Sequence, residues 1–239
     1  MLSDLQHLQE FYVTAPHPCD YLADETARML FLPPDIDLST AAYSDLVSRG
    51  FRRSGNLVYR PHCGTCSSCV PIRIPVEGFR PNRSQKRCLR KNQDLEVIPQ
   101  PAAFRQEHFD LYKRYLHSRH AGGTMVDSTE EDYINFLTCN WCETVFYEFR
   151  YQRQLLAVAV TDMLETGLSA VYTYFDPQFQ HRSLGTFAVL WQIEETARKH
   201  RPWLYLGYWI AQCPKMSYKI QYRPAEIYLN QKWCLLTGS

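Results

Sequence analysis

The sequence predicts an α+β protein in two parts: a cysteine-bearing N-terminal domain over residues 1–100 and a mixed strand–helix domain over residues 101–239. Three observations lead there. Cys63, Cys66 and Cys69 stand at C-x2-C-x2-C spacing, among the turn-forming residues Gly64, Ser67 and Ser68. Pro99 and Pro101 mark a joint. From residue 143 onward three β-rich runs are followed by a helix and another strand.

The bulk composition narrows the function classes. Hydrophobic residues make up 45% of the 239 and charged residues 21%, proportions of a folded chain with a sizeable core. The formal net charge is +1, so a broad nucleic-acid face is excluded and any RNA contact has to come from a local patch. No apolar run reaches the roughly 18 residues of a membrane span. Met1–Gln6 lacks the basic-then-apolar order of a secretory signal. The nine cysteines therefore read as reduced thiols of a cytoplasmic protein.

In the first domain, residues 27–33 predict a strand ended by Pro33-Pro34. Ser39 is placed to cap a helix that runs to Arg49 and stops at Gly50. Phe51–Tyr59 predicts a hairpin turning at Ser54-Gly55-Asn56, and Val70–Val76 a strand leaving the cysteine turns. Three converging thiolates are soft ligands that favour zinc or an iron–sulfur cluster. A closed site needs a fourth ligand, and Cys19 is the natural candidate, with His62 the one alternative within the run. The competing reading of Cys19, Cys63, Cys66 and Cys69 is four reduced thiols without a metal.

Residues 80–91 carry the one dense basic cluster. On a helix over residues 83–92, Arg83, Lys86 or Arg87, and Arg90 share a face. Such spacing is repulsive unless an anion lies against it; the alternative is a solvated surface.

The second domain opens with a helix over residues 104–120, stopped by Gly122-Gly123. Ser128-Thr129-Glu130-Glu131 reads as a capping box for a helix to about Leu137. Thr144–Tyr151, Leu155–Met163 and Ala170–Phe175 predict an antiparallel meander. Ser183-Leu184-Gly185-Thr186 opens a helix to about His200 with an apolar stripe of Phe187, Leu190, Ile193 and Ala197, and Trp203–Gly207 predicts the next strand. This order is GNAT-like, that of the N-acyltransferase fold. Phosphates are received there at a helix N-terminus, the place of Ser183, Gly185 and Thr186, but the longer glycine-rich pyrophosphate pattern is missing. An acyl donor other than coenzyme A follows.

Several blocks carry a family resemblance: Pro18-Cys19-Asp20-Tyr21-Leu22, Gly50 through Gly55, Pro61-His62-Cys63, Val70-Pro71-Ile72-Arg73, Arg119 through Met125, Ala157 through Asp162, Ser169 through Pro177, and Tyr205 through Ile210 with Cys213 through Lys219. Together they resemble the aminoacyl-tRNA–protein transferases, over about residues 17–233. The chain is most similar to the short bacterial members, the aspartate/glutamate leucyltransferases. It departs from the eukaryotic arginyltransferases in having the single Cys19 where those carry a C-x-x-C pair.

The resemblance implies transfer of leucine, or alternatively arginine, from its tRNA to the α-amine of proteins that begin with Asp or Glu, marking them for N-end-rule degradation. The partners implied are Leu-tRNA and such acceptor proteins, and the transfer itself needs no cofactor. An α-amine of pKa near 8 is partly neutral at neutral pH, so positioning and an oxyanion donor supply most of the rate. On this reading Asp162 orients or deprotonates the ammonium, and Tyr172, Tyr174 and Lys219 line the channel or stabilise the oxyanion. Arg73, Arg119 and His120 read the acceptor carboxylate. Arg83, Lys86, Arg87 and Arg90, with Ser183, Gly185 and Thr186, hold tRNA. Plainer roles compete with these: a capping carboxylate for Asp162, core packing for the tyrosines, a helix-dipole partner for Arg119. Two rival functions share the pattern: a coenzyme-A-dependent acetyltransferase, and a metal-stapled RNA-binding module without catalysis. The oligomeric state is not written in the sequence.

Overall fold

Ser39 accepts the backbone N–H of Ala42 and so starts the first helix of the computed structural model, which describes residues 11–119 and 124–237. Four short strands precede it: β1 (Tyr12–Val13), β2 (His17–Pro18), β3 (Thr26–Ala27) and β4 (Met29–Phe31). After α1 (Thr40–Ser48) comes the expected hairpin of β5 (Arg52–Ser54) and β6 (Leu57–Pro61), turning at Gly55-Asn56. These strands make a small antiparallel sheet in the order β1-β4-β6-β5, with β2 and β3 paired separately. The helix and this sheet share an apolar core of Leu30, Leu32, Tyr43, Leu46, Phe51 and Val58, which extends onto Leu164 and Tyr205 of the larger sheet.

The remaining elements are β7 (Val70–Pro75), α2 (Arg83–Lys91), β8 (Glu96–Pro101), α3 (Gln106–Arg119), α4 (Glu130–Leu137), β9 (Thr144–Tyr151), β10 (Gln154–Met163), β11 (Gly167–Phe175), α5 (Leu184–Arg198), β12 (Trp203–Trp209), α6 (Pro214–Ser217), β13 (Glu226–Leu229) and β14 (Lys232–Leu235). Their eight strands form one sheet in the order β14-β13-β7-β12-β11-β10-β9-β8. The meander β9–β10–β11 is antiparallel, and β11 and β12 are parallel, with α5 crossing between them. Helix α5 buries Leu184, Phe187, Ala188, Leu190 and Ile193 against one face, alongside Ala157, Ala159 and Leu204. The other face takes Leu111, Tyr112 and Leu116 of α3 and Tyr133 and Leu137 of α4, against Val158, Val160 and Tyr174. Covered on both sides, β10 is apolar without interruption from Leu155 to Val160.

Three expectations need correction. The division near residue 100 is not a boundary of the sheet, because β7 and β8 belong to the same eight-stranded sheet as the C-terminal strands. Pro99 and Pro101 lie within β8 rather than in a joint; an edge strand tolerates residues that cannot donate to a ladder. The box that starts α4 is Thr129 with Asp132, one residue later than expected, because the Ser128 hydroxyl bonds Met125 O instead.

Candidate active site

The parallel ladder between β11 and β12 covers only Gly167–Ser169 against Trp203–Tyr205, although both strands run on. Gly167 is required at its base: a Cβ there would overlap the carbonyl of Trp203. Beyond the ladder each strand is irregular. The register with β10 slips so that Val171 has no partner, a β-bulge. On β12 the register with β7 slips between Tyr205 and Tyr208, where Gly207 takes φ +75°. Between the two irregularities lies the side chain of Arg52. Its Nη2 donates to the carbonyls of Ala170 and Val171, at 3.2 and 3.1 Å. Its guanidinium also fills the space a Cβ on Gly207 would need.

Lys219 stands within reach of the Arg52 charge, on the Tyr208 backbone. Its Nζ donates to Tyr208 O at 2.6 Å and lies 3.2 Å from Met216 Sδ, with the residue 7% exposed. Burial above all, and then the charge of Arg52, pull the amine down from its usual 10.5 to about 7. Tyr21 and Tyr218 are partly exposed and feel the charge of the same cation, while Tyr208 is buried with its hydroxyl on Gly50 O at 2.9 Å. Burial raises the Tyr21 phenol to about 12, so these hydroxyls stay protonated donors near neutrality.

From the cleft a line of aromatic rings leads to the start of α5. Tyr218 meets Tyr222 edge-on at 6.5 Å, and the hydroxyl of Tyr222 faces that of Thr186. Ser183 is left-handed (φ +55°) and caps nothing with its own side chain, and the first turn of α5 carries no acidic residue. Such an N-terminus presents free backbone N–H groups to an anion. Gly185 lets the ring of Phe175 approach, and the guanidinium of Arg119 stands 5.7 Å above that ring. Helix α2 is fixed beside this turn: Asn92 Nδ2 donates to Arg182 O at 2.8 Å, Lys91 Nζ to His181 O at 2.6 Å, and Arg182 pairs with Asp94. An Asn82–Gln85 capping box starts α2. Arg83, Lys86, Arg87 and Arg90 are all exposed, and among the described residues none has an ion-pair partner.

The structure thus brings Lys219 to the cleft, and the basic helix to Ser183, Gly185 and Thr186. It gives other expected residues different surroundings. Asp162 is 0% exposed and held by Arg53, Thr144 and Tyr43, so it cannot meet an incoming ammonium; it ties β10 to the N-terminal hairpin. Tyr174 is also 0% exposed, with its hydroxyl spent on Tyr133 at 2.7 Å, and is a core residue. Tyr172 is half-buried and packs among Tyr112, Tyr115 and Phe136, one residue beyond the Val171 carbonyl that holds Arg52. Arg73 is neutralised by Glu226 at 2.6 Å and sandwiched between Trp203 and Trp233, at 3.9 and 4.3 Å, which leaves it no free face for a substrate carboxylate. Arg119 is exposed at the end of α3, on the α5 side; His120 lies outside the described residues. Arg52, the residue at the centre of the cleft, carried no distinguishing signal beside its neighbour Arg53.

Cys19, Cys63, Cys66 and Cys69 are free thiols in one neighbourhood. Burial first, then the charges of the other three, push Cys69 up to about 12. Among the described residues no group of three or more His, Cys, Asp or Glu stands in an arrangement that could hold a metal ion. The donor set itself is of the soft type that zinc or a cluster takes. No helix among the described residues is long and apolar enough to cross a membrane.

Comparison with known proteins finds relatives over nearly the whole chain. Residues 17–87 match the family described as arginine-tRNA-protein transferase, N terminus, and residues 107–229 its C terminus. The aspartate/glutamate leucyltransferase of Nitrosococcus oceani is 54% identical over 228 residues, covering 95% of this chain and 96% of that one. The same-named protein of Pseudomonas fluorescens (strain Pf0-1) is 51% identical over 235 residues, covering 98% and 100%. Among solved structures, L-PGS from Bacillus licheniformis overlays 87% of this chain and 71% of its own at 10% identity, with a TM-score of 0.44.

Proposed function

The chain belongs to the arginine-tRNA-protein transferase family, and we propose that it moves leucine from leucyl-tRNA to the α-amine of proteins beginning with Asp or Glu. The observation that carries this reading is the near-complete coverage, at about half identity, of relatives named aspartate/glutamate leucyltransferase. The parallel pair β11/β12, diverging around a cleft with α5 between them, is read as a GNAT-like acyl-transfer site. We place the reaction in the cytoplasm, where aminoacyl-tRNA is held, and its consequence is to mark the acceptor for degradation.

In the reaction the neutral α-amine attacks the ester carbonyl of leucyl-tRNA, the new C–N bond forms, the ester C–O bond breaks, and the ribose oxygen leaves with a proton. The exposed cations of α2 would grip the acceptor arm of the tRNA, with Arg119 adding to the same side. The open first turn of α5 would receive the terminal phosphate or ribose near Thr186. The rings of Tyr222 and Tyr218 lead from there to the cleft, so the ester can be delivered beside Lys219. The amine of Lys219, partly neutral near pH 7, is suited to accept the proton that the incoming ammonium gives up. The phenols of the cleft are hydrogen-bond donors toward a developing oxyanion. None of these steps requires a metal or other cofactor.

Labelled Leu-tRNA and Arg-tRNA, each offered with peptides starting in Asp, Glu, Lys or Ala, test the reading. Leucine should appear on the Asp and Glu peptides alone. Arginine on those peptides would move the chain to the arginyl branch. tRNA binding indifferent to aminoacylation, without transfer, would reduce it to an RNA-binding module.

A further inference from the structure

We infer that Arg52 receives the side-chain carboxylate of the acceptor's first residue, in the cleft between β11 and β12, and so sets the requirement for Asp or Glu. The inference rests on the transferase reading for the identity of the acceptor, but its geometry stands apart from it.

The cation is built into place. Nη2 is anchored on Ala170 O and Val171 O at the β11 bulge, and the guanidinium lies over the bare Cα of Gly207. A side chain on residue 207 would expel it. Arg53, the next residue of β5, leaves the strand on the other side and is fixed by Asp162, so the pair of arginines is clamped at one end and presented at the other.

The cation is also uncompensated. Among the described residues Arg52 has no carboxylate within ion-pair distance, whereas the other arginines turned into the sheets, Arg53 and Arg73, each have one. Its Nε and Nη1 donate to no described protein atom, yet neither is sealed from solvent. The groups that feel its charge are phenols and an amine: Tyr21, Tyr43, Tyr208, Tyr218 and Lys219, none of them an anion near neutrality. A half-buried guanidinium with two donors still open and apolar or neutral walls is a receptor for one planar carboxylate. The ligand class follows: a carboxylate on a short stem, at a chain end narrow enough to enter between two strands. With the carboxylate on Arg52, the α-amine lies within the same cleft as Lys219.

The test uses two short peptides that differ only in a first residue of Asp or Asn, titrated calorimetrically onto the full chain without tRNA and then offered as acceptors with Leu-tRNA. Wild type should bind the Asp peptide roughly 10- to 150-fold more tightly than the Asn peptide, the range for a charge-assisted hydrogen bond. In Arg52→Gln that ratio should fall to within about threefold, through a higher KM for the Asp peptide, with the KM for Leu-tRNA unchanged. A variant that keeps the wild-type ratio overturns the assignment. Should Arg52→Gln not fold, phenylglyoxal labelling of wild type read by mass spectrometry decides: the Asp peptide should protect Arg52 and the Asn peptide should not, and equal labelling under both overturns it. The two readings fail separately. Wild type that binds through Arg52 but transfers no leucine removes the transferase reading and keeps the site. Leucyl transfer with Arg52→Gln indistinguishable from wild type removes the site and keeps the transferase.

Discussion

Arg53 holds both carboxylate oxygens of Asp162, at 2.7 and 2.6 Å, with the two side chains 1% and 0% exposed. Arg53 also donates to Leu137 O and Thr144 Oγ1, so one guanidinium joins the N-terminal hairpin, the end of α4 and strands β9 and β10. Breaking such a buried pair from one side strands the remaining charge. Asp162→Asn and Arg53→Met should each lower the unfolding free energy by about 3–5 kcal/mol. Replacing both residues together by apolar ones should cost less than the two single changes added. Urea denaturation of the three variants measures this; additive losses would mean that the pair is not coupled.

Lys219 gives a pH dependence with a definite sign. Its folded amine titrates at about 7 against the usual 10.5, so the unfolded chain binds more protons between those values. Stability contributed through this residue therefore rises with pH across that window, and the full penalty of charging it is felt below the window. Relative to Lys219→Met, wild type should gain about 2 kcal/mol between about pH 7 and about pH 9. Chemical denaturation at both pH values checks it, and parallel behaviour of the two proteins would show an amine with an ordinary titration.

Helix α2 gives a salt dependence. Each phosphate neutralised on duplex contributes roughly 0.9 to the slope of log affinity against log salt. Arg83→Glu, Arg87→Glu and Arg90→Glu together should weaken Leu-tRNA binding and reduce that slope by about 2–3, while peptide binding and the melting temperature stay near wild type. An unchanged slope would make the row a solvated surface.

The cysteine turns give a negative control. An α-amine attacking an ester needs no metal to supply its nucleophile, so leucyl transfer should survive exhaustive chelation of any metal at Cys19, Cys63, Cys66 and Cys69 under reducing conditions with kcat within about twofold. Stoichiometric zinc or iron in protein purified without oxygen, lost together with activity, would overturn this.

Local signals were legible and tertiary pairings were not. The Ser39 cap, the β5–β6 hairpin, the meander and α5 all follow from residues within one turn or one strand of each other. The row on α2 stood out because the rest of the chain is nearly neutral. By contrast, Arg52 and Arg53 are chemically identical neighbours on one short strand. Only the distant partners Asp162 and Ala170 divide them into an anchor and an open cation. Arg73 looked available until Glu226, Trp203 and Trp233 converged on it from other strands. The β13–β14 hairpin escaped notice because its turn, Asn230-Gln231, takes positive φ at both positions (49° and 62°) without the glycine that marks such turns in sequence.

The central claim is leucyl transfer to acidic N-termini, and one competition reaction tests it most directly. Leu-tRNA and Arg-tRNA are mixed in equal amounts with peptides that begin in Asp, Glu, Asn and Lys, and the products are read by mass spectrometry. The account predicts that the Asp and Glu peptides each gain a single leucine while the Asn and Lys peptides stay unmodified. Arginine on the acidic peptides, or leucine on the Lys peptide at the same rate, would contradict it.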